Sequence, residues 1–219
     1  MRHFDGTFSQ GNGARMARWG MVFDLKRCIG CNACAVACKQ ENSLPHDVFF
    51  TKTISEESGE YPQVKRMYVP TICNHCDDAP CERVCPTGAT YTRPDGIVMV
   101  DERLCIGCGS CIVACPYDAR TLIEGRVLKE GLFQNGELTP FERQGIGRFV
   151  AGTVEKCTFC HERVERGLQP ACVITCPTDA RIFGDLDDPD SKANRLIRNR
   201  GGQQPLPGKN TRPKVYYID

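Results

Sequence analysis

Apolar residues in this chain come in short bursts between long polar stretches. Trp19 to Leu25 is one burst and predicts a strand. Residues 32–40 follow as a short helix. Residues 39–66 are polar, contain Pro45, Gly59 and Pro62, and read as a long excursion with one strand around Val64–Val69. Ala89-Thr-Tyr91 and Ile97-Val-Met-Val100 flank Pro94-Asp95-Gly96, which predicts a hairpin turning at Asp95-Gly96. Residues 121–155 carry Gly125, Gly131, Gly136, Pro140, Gly145 and Gly147, and form a hairpin or an irregular surface insertion. Residues 187–199 predict a helix, with Asp187 or Asp188 near its cap and Pro189 in its first turn. Both ends are polar: residues 1–18 read as a Gly-rich arm ordered against a partner. Residues 201–219, with Pro205, Pro207 and Pro213, read as an extended strap over the surface. Apolar runs such as Ile97–Val100 are strand-sized, far below the roughly 20 residues needed to cross a bilayer.

Cysteine marks the repeats within this pattern. The sixteen cysteines fall into four quartets: Cys28, Cys31, Cys34, Cys38; Cys73, Cys76, Cys81, Cys85; Cys105, Cys108, Cys111, Cys115; and Cys157, Cys160, Cys172, Cys176. The first and third have the C-x₂-C-x₂-C-x₃-C spacing of bacterial iron–sulfur proteins. A cubane needs thiolates that converge on different corners of one compact core, and a loop with two residues between ligands wraps three corners. Gly107 and Gly109 let the backbone pass close to such a core without a Cβ, and Pro116 turns the chain away. The second quartet widens its middle gap to four residues, the fourth to eleven. Met21-Val-Phe-Asp24 stands before Cys28-Ile-Gly-Cys31 as Val98-Met-Val-Asp101 stands before Cys105-Ile-Gly-Cys108. A strand, an Asp and a cluster loop therefore form a unit used twice.

Composition changes this picture little. The chain has 219 residues with a formal net charge of +1, so it lacks the basic excess of a nucleic-acid binder. A disulfide scaffold suits short secreted chains and would not demand repeated quartets. Structural zinc pairs two C-x₂-C knuckles over a longer gap; the fourth quartet alone has that look, but the recurring triplet suits a cubane better. Free buried thiols predict no spacing at all. His75 and His161 sit beside cysteines of complete quartets and read as surface or hydrogen-bonding residues. Asp24 and Asp101 read as caps or loop anchors, and Lys39, Arg120 and Arg181 as solvated charges. No acid–base pair, nucleophile constellation or phosphate-binding loop stands out, so the chain has no catalytic site of its own.

Quartet, hairpin, quartet is the layout of a two-cluster ferredoxin. Residues 73–116 therefore form a central module. The first and fourth quartets pair around it, giving a split outer module of residues 19–72 and 117–200. The expected class is α+β: two nested ferredoxin-like two-cluster modules with short strands, short helices and long irregular loops.

The chain resembles the four-cluster iron–sulfur subunit of molybdopterin oxidoreductases in the dimethyl-sulfoxide-reductase superfamily. The resemblance runs from about Trp19 to the C-terminus. It rests on Cys28-Ile-Gly-Cys31, Cys73-Asn-His-Cys76-Asp-Asp-Ala-Pro-Cys81, Cys115-Pro-Tyr-Asp-Ala-Arg120, Lys156-Cys157-Thr-Phe-Cys160 and Ala180-Arg-Ile-Phe-Gly-Asp185. The last three, with Tyr216-Tyr217, are most similar to the polysulfide, thiosulfate and tetrathionate reductase branch, and the Asn74-His75 block to arsenate reductase small subunits. The resemblance implies four [4Fe–4S] clusters. By analogy with two-cluster ferredoxins, the fourth cysteine of each quartet serves the partner cluster. Cys28, Cys31 and Cys34 then go with Cys176; Cys157, Cys160 and Cys172 with Cys38; Cys73, Cys76 and Cys81 with Cys115; and Cys105, Cys108 and Cys111 with Cys85.

The implied function is a relay of single electrons in anaerobic respiration. A molybdenum or tungsten pterin catalytic subunit lies at one end, and a quinol-linked membrane subunit or a soluble donor such as a cytochrome at the other. The alternative within iron–sulfur chemistry is the ferredoxin-like subunit of a formate dehydrogenase or hydrogenase. No secretory h-region follows Arg2, Arg15 and Arg18. The resemblance implies the periplasmic face of the cytoplasmic membrane, reached by export bound to a partner with a twin-arginine signal; the alternative is a cytoplasmic complex.

Overall fold

The computed structural model describes residues 16–219; residues 1–15, most of the expected N-terminal arm, lie outside the described residues. In chain order the strands and α-helices are β1 (Trp19–Asp24), α1 (Ala33–Asn42), β2 (Thr51–Ser58), β3 (Lys65–Ile72), α2 (Pro80–Arg83), β4 (Thr90–Thr92), β5 (Val98–Val100), α3 (Ser110–Val113), β6 (Thr121–Leu122), α4 (Pro140–Gly145), β7 (Val154–Glu155), α5 (His161–Val164), α6 (Ala171–Ile174), β8 (Arg181–Asp185), α7 (Lys192–Arg200) and β9 (Val215–Ile218). The molecule is α+β, with elements as short as the bursts of apolar residues that make them.

β1 is the central strand of a three-stranded sheet of order β8-β1-β9. It runs antiparallel to β8, with Trp19 opposite Asp185, and parallel to β9, with Met21 opposite Val215. Met21, Val22 and Phe23 are fully buried because both faces of β1 are covered. Val22 packs with Ile182, Leu186, Ala193 and Ile218 under α7, while Met21 and Phe23 join Ile97, Phe159, Cys172 and Phe183 on the side of the cysteine loops.

Three expectations need correction. The tail is no surface strap: its Val215-Tyr-Tyr-Ile218 is a strand of the central sheet, and Lys214 before it is fully buried. The polar excursion holds two strands, because Thr51–Ser58 pairs with Lys65–Ile72 along its whole length, Thr51 opposite Ile72 and Ser58 opposite Lys65. β2 is mostly exposed and lacks the alternation that marks a half-buried strand, so backbone pairing with β3 defines it. Finally, α7 starts after Pro189, and its cap is Ser191, whose hydroxyl accepts the Asn194 N–H at 3.1 Å.

The expected hairpin is present as β4–β5, with Thr92 opposite Val98. Residues 121–155 are both things expected of them. β6 and β7 pair at the base, and between them lies an irregular excursion with the capped helix α4, where Thr139 and Glu142 form a capping box. Among the described residues no helix is long and apolar enough to cross a membrane.

Candidate metal centres

The four cysteine loops share one backbone device. The residue just before the second cysteine of each quartet is left-handed: Gly30 (φ 69°), His75 (φ 42°), Gly107 (φ 67°) and Phe159 (φ 53°). This turns the chain back so that the first and second sulfurs face the same way. The third cysteine then enters the first turn of a helix: Cys34 in α1, Cys81 in α2, Cys111 in α3 and Cys172 in α6. Gly107 is also a close approach, because a Cβ there would collide with the Gly152 carbonyl oxygen.

The Asp of the repeated unit anchors each loop through its backbone. The Asp24 carbonyl accepts the Cys28 N–H at 3.2 Å, and the Asp101 carbonyl accepts the Cys105 N–H at 3.1 Å. Their own N–H groups donate to Ala180 at 2.9 Å and Ala89 at 2.7 Å. Each of those alanines lies four residues past a last cysteine, Cys176 or Cys85. The loop of one quartet is thereby tied to the end of another.

The sixteen cysteines are all free. Cys28, Cys31, Cys34 and Cys176 line one small cavity with Pro177 and Arg181, and Cys85, Cys105, Cys108 and Cys111 line a second with Pro86 and Val154. The remaining eight form two deeper groups. Cys76 has Cys73, Cys81 and Cys115 as charge neighbours, and Cys157 has Cys38, Cys160 and Cys172. Cys157 also neighbours Cys73, so the two deep groups adjoin. Among the described residues no three His, Cys, Asp or Glu side chains converge on a single ion. Sulfurs grouped in fours, three from one loop and one from another, suit the corners of a cubane.

Burial pushes the Cys76 thiol up to about 12 and the Cys172 thiol up to about 11, and raises Cys38 and Cys157 as well. Thiols so placed ionise only when a cation takes the charge, and the iron of a cluster held by these cysteines would supply it. At Cys85 and Cys176 burial works the same way, but donors outweigh it and both thiols fall below their usual value. The Thr90 N–H donates to Cys85 at 3.4 Å, and the Ala180 N–H to Cys176 at 3.3 Å. The donor set fits anionic sulfur.

The structure revises the reading of the polar neighbours. Arg120 and Arg181 are buried, and lie against cysteine sulfurs of two quartets each. Lys39 is half-buried and donates to the Pro45, His46 and Val48 carbonyls at 2.7–3.0 Å, pinning the loop after α1. Lys156, to which the sequence assigned no role, is fully buried and donates to the Val98 and Cys157 carbonyls. His75 is no surface residue. It is fully buried, its Nδ1 accepts the Val98 N–H at 3.1 Å, and its ring stacks on Phe159 with centroids 3.8 Å apart. His161 is half-buried between Arg93 and Glu165. Glu155 and Glu102 meet as a carboxyl pair that the sequence hid, and burial together with the Glu102 hydrogen bond pushes Glu155 up to about 8. The signal that could have found the arginines was in view, since Cys115-Pro-Tyr-Asp-Ala-Arg120 and Cys176-Pro-Thr-Asp-Ala-Arg181 repeat one pattern.

Known proteins share these features. Two models of a 4Fe-4S dicluster domain match the chain, one over residues 64–127 and 145–186, the other over residues 27–89. The chain is 44% identical to a Halobacterium salinarum protein that carries the name of a dimethyl sulfoxide reductase iron–sulfur subunit, over 93% of this chain and 80% of that one. It is 41% identical to the arsenate respiratory reductase iron–sulfur subunit of a Shewanella species, over 92% of this chain and 96% of the relative. It is also 41% identical to a subunit of the tetrathionate reductase of Salmonella typhimurium, over 94% and 74%. With sixteen cysteines in quartets that fit four [4Fe–4S] clusters, the chain belongs to the family of iron–sulfur electron-transfer subunits of respiratory reductases.

Proposed function

We propose that the chain conducts single electrons through four [4Fe–4S] clusters arranged as two nested two-cluster modules. The grouping of the sulfurs supports this reading above any other observation. Two outer sites take Cys28, Cys31, Cys34 and Cys176, and Cys85, Cys105, Cys108 and Cys111. Two inner sites take Cys38, Cys157, Cys160 and Cys172, and Cys73, Cys76, Cys81 and Cys115. Each site draws three ligands from one quartet and the fourth from its partner. The clusters supply one-electron chemistry with little change of shape. The chain's residues orient the thiolates, donate to sulfur and exclude water. The adjoining inner sites, with the His75–Phe159 stack between their loops, give the seam where the two modules meet.

Cys31 and Cys108 are exposed, and Ile29 and Ile106 beside them are 57% and 67% exposed. Apolar side chains held out next to cluster ligands are what a protein partner would cover. One such face meets a catalytic subunit carrying a molybdenum or tungsten pterin, and the other meets a quinol-linked membrane subunit or a soluble cytochrome. The relatives' names point to oxidised sulfur, selenium or arsenic compounds as the substrate class of that catalytic partner. The complex works on the periplasmic face of the cytoplasmic membrane, a location that rests on the family resemblance; export of the folded subunit with its partner suits clusters assembled on reduced thiols. Deleting the partner's export signal and fractionating the cells checks that location.

The ligand sets are tested with Cys38→Ser in the assembled complex. The expected outcome is iron loss or a three-iron signal at the site of Cys157, Cys160 and Cys172, with the Cys28 site intact. Wild-type protein should hold about four irons and four sulfides per cluster. Damage confined to the Cys28 site would refute the nested arrangement. A folded, competent protein with zinc and no sulfide would refute the clusters.

A further inference from the structure

We propose that Arg120 and Arg181 are a matched pair of charge bridges, each guanidinium lying between the two cluster sites of one module and raising the reduction potential of both. The inference rests on the ligand sets proposed above and deepens them.

The two arginines occupy the same place in the repeat, five residues after Cys115 and Cys176. Only 4% of Arg120 and 3% of Arg181 is exposed. Each donates to one threonine hydroxyl, Arg120 Nη1 to Thr90 at 3.1 Å and Arg181 Nη2 to Thr51 at 2.9 Å. Each has its other terminal nitrogen buried with no oxygen or nitrogen partner among the described residues. Neither forms an ion pair with a carboxylate there. A buried guanidinium with no anion is costly, so its counter-charge must come from elsewhere.

The surrounding sulfurs supply it. Arg120 lies against Cys81 and Cys73 of one proposed site and Cys111 of its module partner. Arg181 lies against Cys172 of one site and Cys34 and Cys176 of the other. Four-thiolate sites are anionic, and the remaining N–H groups meet sulfur, Arg120 that of Cys81 and Cys111 and Arg181 that of Cys172. Phe23 covers the Arg181 guanidinium at 4.8 Å from its ring centroid, which keeps water from screening the charge. Arginine does not deprotonate in proteins, so the field is constant across the working pH range. An electron that arrives at a site lowers its charge by one, the fixed cation favours that state, and the same electron leaves to the next site without a proton.

This explains why the charge is shared and not duplicated. One cation between two sites shifts both potentials together, so an electron crosses within a module at little cost while the module as a whole is set against its neighbours. A Lys in the same place would keep the charge as a point on a flexible stem, without the planar fork.

The test is an EPR-monitored redox titration of the assembled complex in wild type, Arg120→Gln, Arg120→Lys and Arg181→Gln. In Arg120→Gln the two sites built on the second and third quartets should both become harder to reduce, at least tenfold in equilibrium constant or about 59 mV for a one-electron couple. The other two sites should not move. Arg181→Gln should give the mirror result. Arg120→Lys should hold the wild-type potentials within that tenfold. If Arg120→Gln fails to load its clusters, a loaded Arg120→Lys with both potentials held supports the inference, and one with both lowered tenfold overturns it. Unchanged potentials in loaded glutamine variants, or shifts spread equally over all four clusters, also overturn it. Iron and sulfide counts on the wild type separate this failure from failure of the four-cluster reading.

Discussion

Two of the four left-handed residues that stand just before the second cysteine of each quartet are not glycine. Where the sites lie near the surface the position is Gly30 or Gly107; where they lie deep it is His75 or Phe159. The deep pair accepts backbone strain because each ring also fills the seam between loops: His75 on Phe159, and Phe159 edge-on to Phe183 with centroids 5.3 Å apart. Such strain persists only where surrounding contacts over-determine it. At the surface position geometry allows a cleaner experiment. Gly107→Ala should destabilise the loaded protein by about 2–4 kcal/mol, from left-handed strain and the clash with Gly152 together. Gly109→Ala has equal strain (φ 75°) but nothing within 4 Å of the new Cβ, so it should cost only about 1–2 kcal/mol. Anaerobic urea unfolding followed by cluster absorbance compares them, and equal losses would mean that the Gly152 contact does not matter.

The elements are held by ties between chain segments far apart in sequence. Helix α7 is one case. Its last residue, Arg200, pairs with Asp24 at the end of β1, Nη2 to Oδ1 at 3.1 Å, with Asp24 almost fully buried. Burial alone would raise the Asp24 carboxyl, but the Arg200 hydrogen bonds and charge outweigh it and hold the carboxyl below its usual value. The depressed group stabilises the fold fully above the ordinary Asp range, and that contribution is lost as pH falls through its folded value. Between pH 5 and 8 the wild type therefore gains or loses nothing from Asp24. In Arg200→Gln burial, the largest influence, is opposed only by the Arg27 and Lys26 backbone N–H groups, and the carboxyl rises from its wild-type value. The variant should be less stable by about 1–3 kcal/mol at pH 8, and the deficit should shrink toward pH 5 as Asp24 takes up a proton. Thermal melts at the two pH values decide this; a deficit that does not change with pH would show that Asp24 stays ionised in the variant.

At the scale of the whole molecule, cysteine loops serve as core. Cys76, Cys81 and Cys111 pack with Ala79, Val98 and Val154; Cys38 packs with Leu44, Val48, Phe50 and Ile123; Cys172 packs with Met21, Phe23 and Phe159. Among the described residues, the apolar groups under α7 are the buried cluster that contains no cysteine. A fold whose interior closes around metal sites loses compactness without them. Removing iron anaerobically with a chelator should enlarge the hydrodynamic radius and reduce far-ultraviolet ellipticity together. The β8-β1-β9 sheet and α7 should be the last to lose amide protection. An unchanged radius after full iron release would overturn this account.

The sequence by itself determined the chemistry and much of the local structure. Cysteine spacing within each quartet, the paired Asp24 and Asp101 units and the β4–β5 hairpin follow from residues near one another in the chain, and β1 from an apolar run that reads as a strand whatever its partners. Tertiary structure decided what depends on distant segments meeting. The end of the chain enters the central sheet because parallel pairing with β1 needs partners almost two hundred residues apart, Met21 and Val215, and four residues of Val-Tyr-Tyr-Ile carry no mark of such a partner. Thr51–Ser58 became a strand through backbone pairing with β3, which polar side chains do not announce. The clearest case is Arg120 and Arg181. A charged residue reads as solvated until its surroundings are known, and only the fold brings anionic sulfur from separate quartets around each guanidinium, turning a default surface charge into a buried one.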